Sequence, residues 1–125
     1  MDEQTAVGPA QQFRRFLAEG RFMLQRSRRT GQCFFYPRIC EPTTGNTDLE
    51  WILASGRGRV HATTVMRPKP PGQPYNVALI DLAEGPRMMS RVEGVAPEKV
   101  AIGMDVAASI VREGDEPIVI FKPAP

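Results

Sequence analysis

Twelve prolines and eleven glycines among 125 residues constrain this chain more than any other feature. Proline removes a backbone donor and ends helices, and glycine marks turns, so punctuation this dense leaves room only for short elements. The densest run is Pro68-Lys69-Pro70-Pro71-Gly72-Gln73-Pro74. Such a run cannot pair inside a sheet and must be an exposed loop. The residues on either side of it, 59–67 and 75–83, alternate apolar with polar and are rich in β-branched types, the pattern of half-buried strands.

Three more strands are predicted further on, over 87–93, 104–110 and 118–121. Glu84-Gly85 turns the chain into a hairpin, and Pro97-Glu98-Lys99-Val100 gives one helical turn before the fourth strand. In the first strand, Val60, Ala62, Thr64 and Met66 are assigned to one face. Arg59, His61, Thr63, Val65 and Arg67 are assigned to the other. Five short antiparallel strands with one small helical insert fit a closed or nearly closed barrel of the oligonucleotide/oligosaccharide-binding (OB) type. Closure also removes exposed strand edges.

Upstream, Phe13, Phe16 and Leu17 follow Pro9 at i, i+3, i+4 spacing, which predicts a short amphipathic helix ending at Gly20. Residues 21–26 and 33–36 predict two small strands around a turn at 27–32, and residues 41–47 a polar loop or knuckle. The expected fold is mainly β: a five-stranded OB-type barrel with an N-terminal helix and a small ribbon. The expected organisation is a flexible tail over 1–8, helix plus ribbon over 9–48, and the barrel over 49–125.

The net charge of +2 hides a split. Residues 1–69 carry 11 Lys/Arg and 6 Asp/Glu, whereas residues 70–125 carry 5 and 8. The basic residues are nearly all arginine, whose planar fork pairs with carboxylate or phosphate. This front half is a candidate face for an anion or acidic partner, with an ordinary solvated surface as the competing reading. No apolar run approaches the roughly 18–20 residues of a membrane span. The opening Met1-Asp2-Glu3-Gln4 lacks the basic and apolar regions of a secretory signal, so a cytoplasmic location without membrane contact is expected. Two cysteines can build neither a disulfide framework nor a four-thiolate metal site.

Several segments in order carry a family resemblance. They are Phe16-Leu17-Ala18-Glu19-Gly20, Leu24-Gln25-Arg26, Tyr36-Pro37-Arg38 before Cys40, Trp51, Ser55-Gly56-Arg57-Gly58, Pro74-Tyr75-Asn76-Val77-Ala78-Leu79-Ile80, Glu84-Gly85-Pro86-Arg87 and Ile102-Gly103-Met104. Together they resemble the acyl-CoA-associated zinc-ribbon/OB-fold proteins from about Phe13 onward. The resemblance implies a non-catalytic accessory subunit that binds a thiolase-like or aldolase partner and helps form its acyl-CoA site. Coenzyme A thioester would be substrate of the complex, with no cofactor held by this chain. The resemblance also implies two Cys-x-x-Cys pairs. Their positions align here with Ser27, Thr30, Cys40 and Thr43, of which only Cys40 is a cysteine. Neutral hydroxyls are poor zinc ligands. A metal-free, degenerate ribbon is therefore expected, filled by hydrogen bonds and by Phe22, Phe34 and Phe35, and leaning on a partner or second copy.

No nucleophile has a base beside it in the sequence, since His61 is the sole histidine, so no catalytic residue is assigned. Buried structural cysteine is the expected state of Cys33 and Cys40. Arg57, Arg59, Arg67 and Lys69, with Tyr75 where the loop returns, are the candidate acyl-CoA or partner-binding cluster. Phe13, Phe16, Leu17 and Arg38 are the candidate docking residues. The alternative is a stand-alone single-stranded nucleic-acid binder. It is disfavoured because the barrel strands carry few aromatic platforms and the barrel half is net negative.

Overall fold

The computed structural model describes residues 8–125. The tail expected over 1–8 lies outside the described residues except for Gly8. Helix α1 (Pro9–Ala18) starts with proline in its first turn, where the missing N–H costs no hydrogen bond. Its helical spacing turns Phe13 and Leu17 inward, at 6% and 3% exposure. Phe16 stays half-buried, edge-on to Trp51 at 5.2 Å between ring centroids. The Trp51 indole N–H donates to Gln12 Oε1 at 3.0 Å, which ties α1 to the strand carrying the tryptophan.

A three-stranded antiparallel sheet follows, with β1 (Met23–Ser27) between β2 (Cys33–Phe34) and β3 (Leu49–Leu53). The second strand is shorter than the expected 33–36. Phe35 leaves the ladder to pack against Phe13 at 5.5 Å between centroids. The run at Leu49–Leu53, grouped with the barrel in the sequence, pairs along its whole length with β1, from Met23–Leu53 to Ser27–Leu49. Alternation identifies a strand but carries no information about its partner.

The second sheet holds β4 (Arg57–Met66), β5 (Tyr75–Leu82), β6 (Arg87–Ser90), β7 (Asp105–Glu113) and β8 (Glu116–Pro123), in the order β6-β5-β4-β7-β8. Neighbours are antiparallel throughout. The sheet curls until its two edges meet, where Val92, just past β6, bridges Phe121 of β8 in parallel. There the Phe121 N–H donates to Arg91 O at 2.9 Å and the Glu93 N–H to Phe121 O at 2.8 Å. A 3-10 turn at Pro97–Lys99 separates β6 from β7. The fold is mainly β, a five-stranded OB-type half-barrel with one α-helix among the described residues. β6 stops short of the expected residue 93 because the Val92 N–H turns to the buried Asn76 Oδ1 at 3.0 Å.

The facial assignment along β4 needs correction beyond Val60. A bulge between Val60 and Ala62 loops out His61, so Val60 pairs with Ile80 but Ala62 with Leu79. One extra residue reverses the alternation. Val60 points into the barrel, while Ala62, Thr64 and Met66 join Arg59 on the outer face and Thr63 and Val65 turn inward. Thr63 there accepts a hydrogen bond from Asn76 Nδ2.

One contiguous core joins Phe13, Leu17, Phe22 and Leu24 to Val60, Ile80, Val106 and Phe121. Phe121 and Ile80 are fully buried at its centre. Gly58 lets β4 lie directly on them, since a Cβ there would sit 2.6 Å from Ile80 Cγ2.

Candidate functional site

The outer face of β4–β5–β6 is where this barrel presents unusual chemistry. Register sets Ala62, Leu79 and Met89 in one row, Thr64 beside Val77, and Met66 beside Tyr75. The result is an apolar strip across three strands, with Met66 42%, Tyr75 47% and Met89 68% exposed. A shallow groove of about 300 Å³ runs beside it, between Tyr75, Val77 and Met89 on one bank and Ile118 and Ile120 of β8 on the other. Contiguous exposed apolar surface makes this strip a candidate interaction surface. The signal was present in the sequence as Val77-Ala78-Leu79-Ile80, apolar on both faces of one strand, a pattern of strands covered on both sides.

A charged row closes one end of the strip. Pairing aligns Asp105, Arg59, Asp81 and Arg87 across β7, β4, β5 and β6, alternating in sign. Arg59 Nε meets Asp105 Oδ1 at 3.1 Å, and Arg87 Nε meets Asp81 Oδ1 at 2.6 Å. His61, pushed out by the bulge, brings Nδ1 to 3.3 Å from Asp81 Oδ2. The hydrogen bond from Arg87, and then the positive charge around it, hold the Asp81 carboxyl below the usual carboxylate range.

The candidate acyl-CoA residues do not form one cluster. β4 is ten residues long, which at strand rise separates its ends by about 30 Å. Arg57 and Arg59 lie at its start, lining a recess of about 610 Å³ shared with Asp81 and Asp105. Arg67, Lys69 and Tyr75 lie at the far end, on and beside the proline loop. Among the described residues, Arg67 and Lys69 have no carboxylate within ion-pair distance. The docking candidates are corrected as well. Phe13 and Leu17 are spent on the chain's own core, because the narrow apolar stripe of α1 docks within the molecule. Phe16 alone of the three reaches the surface, beneath the Arg21 guanidinium at 5.1 Å from its ring centroid. Arg38 is exposed, and its backbone is clasped by Gln25, whose Oε1 accepts from the Arg38 N–H at 2.6 Å and whose Nε2 donates to Arg38 O at 2.7 Å.

The ribbon contains two turns built alike. In the first, the Gly31 N–H donates to Ser27 O at 2.8 Å, and in the second the Gly45 N–H donates to Glu41 O at 2.9 Å. Both glycines have positive φ, 75° and 72°. The Gln32 N–H donates to Thr30 Oγ1 at 3.2 Å and the Asn46 N–H to Thr44 Oγ1 at 3.1 Å. The matched positions are therefore Ser27 and Thr30 against Glu41 and Thr44. Cys40 and Thr43, taken from the resemblance, lie one residue too early, and the sequence signal for the true register is Ser-x-x-Thr-Gly against Glu-x-x-Thr-Gly. The Glu41 carboxylate, 3% exposed, accepts Thr30 Oγ1 on Oε2 and Thr44 Oγ1 on Oε1, each at 2.7 Å. Asn46 Nδ2 donates to Ser27 Oγ at 2.9 Å across the two turns. These hydroxyls and this carboxylate satisfy one another, and none is a thiolate or imidazole, so the set does not fit a structural zinc. Phe22 and Phe34 are buried in the chain's interior, and Phe35 stands beside α1, not at the turns.

The same hydroxyl donors, Thr30 first and then Thr44, hold the Glu41 carboxyl below its ordinary value of 4.5. Both depressed carboxyls stabilise the fold fully above the unfolded range, and that contribution is lost as pH falls through the folded values. The urea midpoint is therefore expected to stay level from pH 7 to about 5 and to fall below that. Asp81→Asn should flatten part of the slope. An unchanged acid limb in that variant would show that Asp81 contributes nothing to it.

Burial pushes the Cys33 thiol up, which opposes a nucleophilic role. No helix among the described residues is long and apolar enough to cross a membrane. Tyr75 is the single aromatic residue of β4, β5 and β6, too little for a run of stacked bases.

The curled five-stranded sheet and its parallel closure define an OB-fold domain. The family model described as the ChsH2 C-terminal OB-fold domain matches residues 51–111. A DUF35 domain-containing scaffold protein of Pyrococcus furiosus is 35% identical over 92 residues, which cover 69% of this chain and 68% of that protein. The chain belongs to the DUF35 scaffold family. It is also 36% identical over 92 residues to a probable enoyl-CoA hydratase alpha subunit of Thermomonospora curvata, covering 70% of this chain and 29% of that subunit. It spans under a third of the length of the curated hydratase subunits it matches. Among solved structures, the chain of an Ltp2-ChsH2(DUF35) aldolase superposes with a TM-score of 0.79 at 28% identity, covering 94% of this chain and 97% of that one.

Proposed function

We propose that this chain is a non-catalytic accessory subunit that docks on a hydratase-, aldolase- or thiolase-type enzyme and helps to form its acyl-CoA site. The observation that carries this reading is the near full-length likeness to a chain of the Ltp2-ChsH2(DUF35) aldolase, together with the likeness to alpha subunits of CoA-thioester hydratases, on a fold whose outer strip is left open. The strip takes the partner. The proline loop beside it faces the thioester: among the described residues Arg67 and Lys69 have no paired carboxylate, whereas at the Arg57 recess Arg59 is already paired with Asp105 and Asp81 with Arg87, which leaves less uncompensated positive charge for the phosphates of coenzyme A. Prolines limit the entropy lost when the loop is ordered on contact.

Co-expression with hydratase-, aldolase- and thiolase-type chains from the same genome tests this. A stable complex that turns over an acyl-CoA, with this chain inactive alone, is the expected result. A chain that stays alone in every combination, or that binds single-stranded DNA in a salt-dependent manner, would count against it. Within the complex, Arg67→Ala with Lys69→Ala should raise KM for the acyl-CoA roughly tenfold, equivalent to about 1.4 kcal/mol, with kcat little changed. Arg57→Ala should leave KM near wild type. The opposite pattern would move the coenzyme to the recess.

A further inference from the structure

We propose that Glu41 performs in this ribbon the task of a metal ion, closing two matched turns with its carboxylate so that the ribbon folds without metal. A structural metal in a pair of such turns works by accepting one ligand from each of four positions at a common centre. Here the four matched positions are Ser27, Thr30, Glu41 and Thr44, and one of them has become the centre. Its side chain reaches the middle, and each carboxylate oxygen takes one threonine hydroxyl, one from its own turn and one from the opposite turn. Ser27 completes the arrangement. Its Oγ accepts the N–H groups of Arg29 and Thr30, each at 3.2 Å, and the Asn46 amide from the other turn.

Hydrogen bonds to an ionised acceptor are roughly twice as strong as neutral ones, which is why a carboxylate can hold this centre and a fourth hydroxyl could not. The backbone scaffold of both turns is intact, down to the paired positive-φ glycines. What has changed is the chemistry of the centre, and with it the dependence on metal supply. Because metal binding ordinarily couples to folding, this ribbon is expected to be indifferent to chelators.

The register makes the inference testable by gain of function. In the full chain, Ser27→Cys, Thr30→Cys, Glu41→Cys and Thr44→Cys together should retain one zinc per chain after refolding with zinc and gel filtration. Cobalt in its place should give the absorption of tetrahedral thiolate coordination. The set shifted by one residue, Ser27→Cys, Thr30→Cys and Thr43→Cys with native Cys40, should retain no stoichiometric metal. Glu41→Gln, which keeps the size but loses one acceptor oxygen, should lower the melting temperature by several degrees, and Glu41→Asp should restore part of the loss. The wild type should melt at the same temperature with and without a chelator. Zinc bound by the shifted set and not by the matched set would overturn the register. A Glu41→Gln chain as stable as wild type, or a wild type that a chelator unfolds, would overturn the role of the carboxylate.

Discussion

Phe121→Ala should remove about 3–5 kcal/mol of stability, the range for truncating a large buried aromatic residue. Against the ordinary 5–15 kcal/mol of a small domain, that leaves a chain near its folding threshold. Phe121 is fully buried, and it stands at the point where the sheet closes, with both backbone groups bonded to the strand end carrying Arg91 and Glu93. Relaxation cannot fill the cavity easily. Ile80 is already pressed against the Gly58 backbone, and the bridge to Val92 pins the phenylalanine backbone in place. The core that loses the ring also contains Phe13 and Leu17, so α1 should loosen along with the barrel. Urea unfolding followed by the fluorescence of Trp51, which sits against Phe16 of that helix, reads both events. Ile102→Ala, at a residue 72% exposed, is the control and should stay within about 0.5 kcal/mol of wild type. A Phe121→Ala midpoint equally close to wild type would mean that closure at Val92–Phe121 contributes nothing to the barrel.

The strand count, the helix and the exposed proline loop were legible in the sequence because each rests on local chemistry. Alternation, i, i+3, i+4 spacing and proline's missing donor are all properties of neighbouring residues. What escaped depends on contacts distant in sequence. The bulge at His61 inserts one residue in the middle of a regular alternation, and only the pairing of Ala62 with Leu79 reveals it. It moves Met66 and Thr64 to the outer face and so creates half of the apolar strip. The docking assignment of Phe13 and Leu17 failed for a related reason: an amphipathic stripe states that a helix must be covered, not by what. The acyl-CoA candidates were grouped because they are near in sequence, yet an extended strand carries residues ten apart to opposite ends of the barrel. In the ribbon, a resemblance centred on cysteine drew the register to Cys40. The hydrogen bonds of Thr30 and Thr44 place it at Glu41 instead.

If the proposed complex with an acyl-CoA enzyme forms through the strip, Met89→Asp is expected to weaken it at least thirtyfold, about 2 kcal/mol, while leaving the free chain folded. Met89 is 68% exposed, so in the isolated subunit an aspartate there keeps its water and the melting temperature should not move. In the proposed complex the same position lies at the β6 edge of the strip, across from Leu79 and next to the groove edged by Ile118 and Ile120. A carboxylate covered there by an apolar partner surface loses its water, and the nearby Arg87 and Arg91, already paired with Asp81 and with Glu93 and Glu113, offset only part of that cost. The apolar residue that covered Met89 also loses its contact. Methionine itself suits such a position, because its unbranched thioether adapts to irregular partner surfaces. The loss should fall mainly on the dissociation rate, as it does for most interface mutations. Titration of each variant against the purified enzyme subunit, with Ile102→Asp as an equally exposed control outside the strip, separates a specific effect from a general cost of added negative charge. If Met89→Asp and Ile102→Asp bind alike, the partner docks elsewhere. If Met89→Asp alone fails while its melting temperature stays at the wild-type value, the outer face of β4–β5–β6 is where the enzyme sits, and the bulge at His61 is what built it.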